Sequence, residues 1–158
     1  MFAVMSNVGM IANFALATFM VGLTVTIHFG GLLALLWILR ERGHRFRPHE
    51  GAAGQGAVIL FVVLGLVAIH TIEIWLYAVA YLLVGGLPDF ETALYFSTTS
   101  FTTLGYGDVV LDHHWRLFGA IEGANGLLLF GWSTAFLFSV TARLRALEHS
   151  WLERNEER

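Results

Sequence analysis

Thr102-Thr103-Leu104-Gly105-Tyr106-Gly107-Asp108 ends an uncharged stretch too short to cross a membrane, in a chain otherwise made of membrane-length apolar segments. Backbone at lipid depth that has no helix or sheet to absorb its carbonyls is tolerated only where those carbonyls line a cavity or are buried in protein. A narrow cavity lined by carbonyls binds dehydrated cations. The residue types suit that task. Gly105 and Gly107 lack a Cβ and reach backbone dihedrals closed to other residues, which lets successive carbonyls point one way. The Thr103 hydroxyl adds an oxygen at the inner end, while Leu104 and Tyr106 are expected to point away and pack against the preceding helix. One strand offers a single oxygen per layer and a desolvated cation needs several, so four copies around an axis are expected.

Residues 89–101 read as a short helix. Pro88-Asp89 supplies a turn and an N-terminal cap, and Glu91 favours the first turn. At ~1.5 Å per residue such a helix falls well short of the hydrocarbon thickness, so it is expected to dip in and return. Its partially negative C-terminal end then points toward the membrane centre, where it stabilises a cation. Around it lie three apolar runs, each longer than the ~20 residues a spanning helix needs. Residues 11–39 carry no charge, residues 58–84 carry only Glu73, and residues 117–142 carry only Glu122. No basic region precedes the first run, so it is read as a retained span and not as a cleaved signal. With 56% hydrophobic and 13% charged residues, the chain lies outside the composition of soluble domains and reads as one membrane domain. The absence of cysteine excludes disulfides and thiolate metal sites.

Orientation follows from arginine, because the chain has no lysine. Arg40, Arg42, Arg45 and Arg47 lie between the first two spans, and Arg143, Arg145, Arg154 and Arg158 follow the third. Both segments are expected to be cytoplasmic. The N-terminus is then outside and the C-terminus cytoplasmic. The loop around residues 89–112 faces outward, with Arg116 against Asp89, Glu91, Asp108 and Asp112, an acidic mouth that concentrates cations.

Tyr95-Phe96-Ser97-Thr98-Thr99-Ser100-Phe101, followed by the stretch at 102–108, resembles the pore helix and selectivity filter of the potassium channel family. The resemblance covers residues 75–140 and leaves the first span outside. Together with the three apolar runs, it implies an all-α membrane protein with three transmembrane helices plus a re-entrant pore helix and filter loop, assembled as a homotetrameric potassium channel pore. Its expected layout is an N-terminal transmembrane helix at 1–40, a cytoplasmic basic loop at 41–53, a pore domain at 54–142 and a cytoplasmic tail helix at 143–158. Within the pore domain the outer helix takes 54–85, the pore helix 89–101, the filter 102–108 and the inner helix 115–142. By the same resemblance Thr103, Leu104, Gly105 and Tyr106 coordinate K+, Gly107 completes the filter, and Gly131 matches a gating glycine. Leu104 stands where valine or isoleucine is usual, Tyr95 and Phe96 stand where many relatives carry two tryptophans, and Thr99 stands where some prokaryotic relatives carry a glutamate. Tyr95 still offers Asp108 a hydroxyl, whereas Phe96 has no donor for Tyr106.

Filter support is therefore expected from Asp108, Tyr95, Phe96, Thr99, Thr102, Glu73, Glu122 and Asn125. Intramembrane carboxylates are costly, so one or both of Glu73 and Glu122 are expected to hydrogen-bond to the back of the pore helix or filter, with Ser97, Thr98 or Thr99 as partners; helix-packing glue is the alternative. His70 shares a helix face with Glu73, which suits either a shared proton or an ordinary satisfied histidine, and His28 is read in the same two ways. His113 and His114 read as solvated loop residues or a weak surface metal site. Gly131 is either a hinge or a close-packing position, and Thr134 and Phe138, one turn apart, are candidates for lining the cavity. Leu144, Leu147 and Trp151 form an apolar stripe along the tail.

The expected function is passive, selective K+ conduction in a plasma membrane of prokaryotic inner-membrane type. The expected partners are K+, membrane lipid and three further copies, with no nucleic acid and no cofactor besides K+ in the filter. No nucleophile–base set suggests an enzyme. A non-selective cation channel and a non-conducting membrane subunit are the alternatives.

Overall fold

The computed structural model describes residues 2–46 and 52–156, with side chains over 10–41 and 53–146. The chain forms four helices: α1 (Phe2–Phe46), α2 (Ala52–Leu83), α3 (Phe90–Phe101) and α4 (Arg116–Glu156). Segments Met10–Glu41, Ala53–Leu83 and Arg116–Ala146 are long and apolar enough to cross a membrane. At 12 residues, or about 18 Å, α3 is not.

One element boundary differs from expectation. The basic segment assigned to a loop at 41–53 is helical as far as Phe46, because Arg40-Glu41-Arg42 are good helix formers and no proline occurs before Pro48. The tail, expected to continue the inner helix past 142, does so, and the two are one helix. Arg143-Leu144-Arg145-Ala146 has strong helix propensity and no glycine or proline to stop it. Arg47 and Arg158 lie outside the described residues, as do the side chains of Arg42, Arg45, Leu147, Trp151 and Arg154. By contrast, α2 ends where a glycine allows it. Gly85 has φ +66°, and the Gly86 N–H reaches back to the Tyr81 carbonyl at 2.9 Å, a left-handed C-terminal stop.

The helices group into two compact units, Met1–His28 with His70–Phe130, and Phe29–Ile69 with Gly131–Arg158. Lipid tails are as apolar as leucine, so helices in a membrane associate through close packing and interhelical hydrogen bonds and not through a hydrophobic drive. Both means are used. In the first unit α1 buries Asn13, Ala17, Met20, Thr24 and His28, an i, i+4, i+3, i+4, i+4 stripe that is largely polar. The α4 stripe there is Phe118, Glu122, Asn125 and Leu129, and α2 contributes Glu73, Tyr77 and Tyr81. Phe118 lies 5.1 Å from Tyr81 and 5.7 Å from Tyr77, ring centre to ring centre. Each such aromatic pair adds about 0.5–1.5 kcal/mol beyond its area.

The core cluster of the second unit is apolar. Leu32 and Leu35 pack with Val58, Val62, Leu66 and Ile69 of α2 and with Phe136, Val140 and Leu144 of α4. Close approach there rests on glycine: a Cβ at Gly31 would stand 2.6 Å from Ile69 Cδ1.

Candidate functional site

Helix α3 is fixed at both ends by local bonds. Asp89 caps it, accepting from the Thr92 N–H at 2.9 Å and the Thr92 hydroxyl at 2.8 Å. These donors hold the Asp89 carboxyl below its usual range, the Thr92 backbone N–H foremost. At the other end the chain folds back on the last turn. Thr102 N–H donates to Thr98 O at 3.1 Å, Thr103 N–H to Ser100 O at 2.9 Å, and Gly105 N–H to Thr99 O at 3.0 Å.

From there the backbone alternates in handedness. Thr103, Gly105 and Gly107 have φ of 59°, 54° and 77°, and Leu104 and Tyr106 between them stay outside that region. Glycine adopts such dihedrals freely. A β-branched residue does not, so Thr103 is held at a cost of about 1–3 kcal/mol, of the kind that persists where surroundings enforce it. The sequence marked the two glycines as left-handed positions but not Thr103, whose residue type argues against it. Leu104 and Tyr106 do not pack against α3 as expected. They are 56% and 69% exposed, because the alternation turns them off their own chain. A Cβ built at Gly105 or Gly107 meets nothing within 4 Å. Past Gly107 the strand is tied down by the Tyr95 hydroxyl, which donates to Asp108 at 2.8 Å. That bond is the main reason the Asp108 carboxyl sits below its usual range and the Tyr95 hydroxyl above its own.

Buried polar side chains pack against α3. The Ser97 hydroxyl lies 2.6 Å from Glu122 Oε1 and 2.9 Å from the Ile74 carbonyl. Glu122 also accepts from the Tyr81 hydroxyl, so one carboxylate on α4 joins α2 and α3. Phe96 stands edge-on to Tyr81 with ring centres 5.1 Å apart. The hydroxyls of Thr99 and of Thr102, which caps the helix, both bond to carbonyls of α3, Phe96 O at 3.0 Å and Thr98 O at 2.7 Å. Thr99 therefore meets the strand through its carbonyl and not its side chain. Asn125 reaches neither α3 nor the strand. Its amide donates to Thr24 of α1 at 2.8 Å and to the Tyr77 hydroxyl at 3.3 Å. Gly126 lets α4 press on the end of α3. A Cβ there would overlap the Phe101 carbonyl oxygen and stand 2.8 Å from its carbon.

Of the two carboxylates, Glu122 is the one that bonds a hydroxyl of α3, whereas Glu73 lies between two imidazoles, one of them the His70 that shares its helix face. Its oxygens stand 3.0 Å from His28 Nδ1 and 2.9 Å from His70 Nδ1. Its place on α2 turns it toward α1, where the buried stripe brings His28 to meet it. The same cluster abuts α3 and α4: the His70 ring centre is 5.9 Å from Phe101 and 4.3 Å from Phe130. Recurrence of Asn13, Thr24 and His28 on one helical face of an otherwise apolar segment is the signal that marks α1 as a packing partner of α2 and α4.

Farther along α4, Gly131 has open space around it. Thr134 and Phe138 lie on an exposed face, Phe138 being 76% exposed. In the loop before α4, the His114 carbonyl accepts from Asn13 of α1 at 2.7 Å, and the His113 side chain is exposed.

Neither curated proteins nor solved structures gave a match to the chain. A family model described as ion channel matches residues 58–143, more than half of the chain, from within α2 through α3 and the alternating strand into α4. With three helices of membrane-crossing length around that match, this is a membrane protein, and the chain belongs to the ion channel family.

Proposed function

We propose that four copies of this chain form a potassium-selective channel, in which the 102–108 strands surround the axis as a selectivity filter and α3 is the re-entrant pore helix. The alternation of handedness at Thr103, Gly105 and Gly107 carries this reading. Alternating left- and right-handed dihedrals turn successive peptide planes to the same side. The carbonyls of Thr103, Leu104, Gly105 and Tyr106 then form a column, where an ordinary strand would send them to opposite sides. Four columns make stacked oxygen cages that replace the water shell of K+. Exposure of Leu104 and Tyr106 in the single chain supports the tetramer, since neighbours then cover two large side chains that their own chain leaves bare.

The remaining roles follow from position. Asp108 with Tyr95 holds the outer end of the filter, the Thr99 carbonyl and the Thr102 turn hold its inner end, and Glu122 with Ser97 braces the pore helix. Phe96 and Asn125 support that brace through Tyr81 and Tyr77, and Glu73 supports it through the histidine cluster beside Phe101. Gly131, with open space around it, is the hinge, and Thr134 and Phe138 face the cavity below the filter. The basic segments put the C-terminus in the cytoplasm of a prokaryotic-type cell and the N-terminus outside.

Purified protein in liposomes with opposed K+ and Na+ gradients tests the reading. The expected outcome is K+ flux that barium blocks and that Gly105→Ala abolishes. Equal K+ and Na+ flux would replace it with a non-selective channel. Absence of flux from the folded tetramer would replace it with a non-conducting subunit.

A further inference from the structure

His28 of α1 and His70 and Glu73 of α2 gather their donor atoms within 4.8 Å of one another in the buried interior of the first unit. We infer that this cluster is a transition-metal site of the zinc class, joining α1 to α2 immediately behind the last residue of α3.

The chemistry of the donors comes first. Two imidazole nitrogens and one carboxylate oxygen form a set that tetrahedral zinc accepts, leaving a fourth position for a small ligand. Magnesium and calcium prefer oxygen ligands, and copper(I) prefers sulfur, so borderline dications are favoured here. Placement comes next. His70 and Glu73 are i, i+3 on one helix, a spacing that projects both donors to one side, and His28 completes the set from the facing helix. Neither His28 nor Glu73 has any solvent exposure. Among the described residues, the partners of the Glu73 carboxylate are these two imidazoles, and no guanidinium faces it. A dication supplies the positive charge that a carboxylate at this depth otherwise lacks.

Geometry agrees. Zinc held at ~2.0–2.1 Å by tetrahedral donors keeps them roughly 3.3 Å apart. His28 Nδ1 and His70 Nδ1 lie 3.0 and 2.9 Å from the two different oxygens of Glu73, and one donor atom from each residue lies within 4.8 Å of the others, so a small turn of the carboxylate and closing of the donors brings them to that spacing. Each ring meets the metal through Nδ1 and keeps its proton on Nε2. The apolar surroundings that sharpen such a site are in place, with the Phe130 and Phe101 rings packed on His70.

The test uses the full-length protein in nanodiscs, loaded with Zn2+ or Co2+ and dialysed against metal-free buffer. The expected result is about one retained metal per chain, a four-coordinate cobalt spectrum, a zinc-edge X-ray absorption spectrum showing two imidazoles, and a melting temperature that falls when a chelator strips the metal. Retention should drop on the order of a hundredfold or more in His28→Asn and in Glu73→Gln, and should be unchanged when His113 and His114 are both replaced by alanine. A wild-type protein that retains no metal overturns the inference, leaving a proton-sharing cluster. Retention with fewer than two imidazoles in the absorption spectrum, or retention lost with His113 and His114, overturns it equally, whether or not the buried variants fold. Because no readout is ion flux, failure here leaves the selectivity proposal standing.

Discussion

The strand at 102–108 and the polar layer packed against α3 are built by opposite rules. The strand is exposed, works through its backbone, and is held by local bonds, the longest of them joining residues 13 apart, Tyr95 and Asp108. The polar layer is buried, works through side chains, and joins residues 25 apart at Ser97 and Glu122, 45 apart at His28 and Glu73, and 101 apart at Asn125 and Thr24. In the proposed filter the carbonyls must stay free for the ion and Leu104 and Tyr106 face away from their own chain, so few of its own groups besides Asp108 can brace it. On that proposal, most of the rigidity that selectivity needs comes from the layer behind.

If that division holds, damage behind α3 appears in front of it. The largest effect is expected from Gly126→Ala, because the new methyl meets the Phe101 backbone, which cannot swing aside as a side-chain tip does. A loss of about 3 kcal/mol or more, from overpacking against backbone, is expected in denaturant unfolding in lipid, together with loss of K+ selectivity although no strand residue has changed. Unaltered stability and selectivity would show that front and back are uncoupled.

Glu122→Gln comes next. Both of its oxygens accept from hydroxyls, and an amide leaves one hydroxyl facing a donor, at a cost of about 1–3 kcal/mol. Single-channel recordings are expected to show shortened openings. In a double-mutant cycle with Ser97→Ala the two costs should fall short of additivity by about 0.5–3 kcal/mol, since both changes break the same bond.

Gly131→Ala sharpens the comparison from the other side. Nothing stands within 4 Å of a Cβ there, so helix propensity alone predicts a gain of about 0.5–1 kcal/mol. A channel whose open probability falls while its stability rises identifies a hinge; unchanged gating assigns the glycine no role in opening.

The smallest effect belongs to Tyr95→Phe. With its pKa lowered by the Tyr95 hydroxyl, Asp108 contributes stability that is present above the ordinary carboxylate value and lost as pH falls through the lower, folded one. Removing the hydroxyl moves that loss upward, toward the ordinary value of ~3.9. Acid block of K+ flux from the outer side is expected to begin at higher pH in the variant; identical titration curves would show that the bond does not hold the filter.

Legibility in the sequence follows the same divide. The three membrane-length helices, the short capped helix and the glycine positions of the strand were readable, because each depends on residue type within a window of a few residues. Ser97 and Glu122 were readable as a pair of candidates, since a carboxylate in a span must find a partner and few hydroxyls were in reach. For Glu73 only His70 was readable, one turn away on the same helix. Its second partner, His28, was not, because α1 lies outside the recognised pore pattern and its rotation against α2 is not fixed by any local window. The left-handed Thr103 was also hidden, because its residue type opposes the conformation that the turn onto Ser100 and Thr99 imposes.

By itself, the sequence determined the list of spans, the break at 102–108 and the residues able to adopt its dihedrals, since steric limits on φ and hydrophobic length are local properties. Only the tertiary structure decided that Glu122 faces Ser97 while Glu73 faces His28, and that Gly126 seats the end of α3. Those outcomes depend on the rotation and register of helices joined across long separations, which no local window contains.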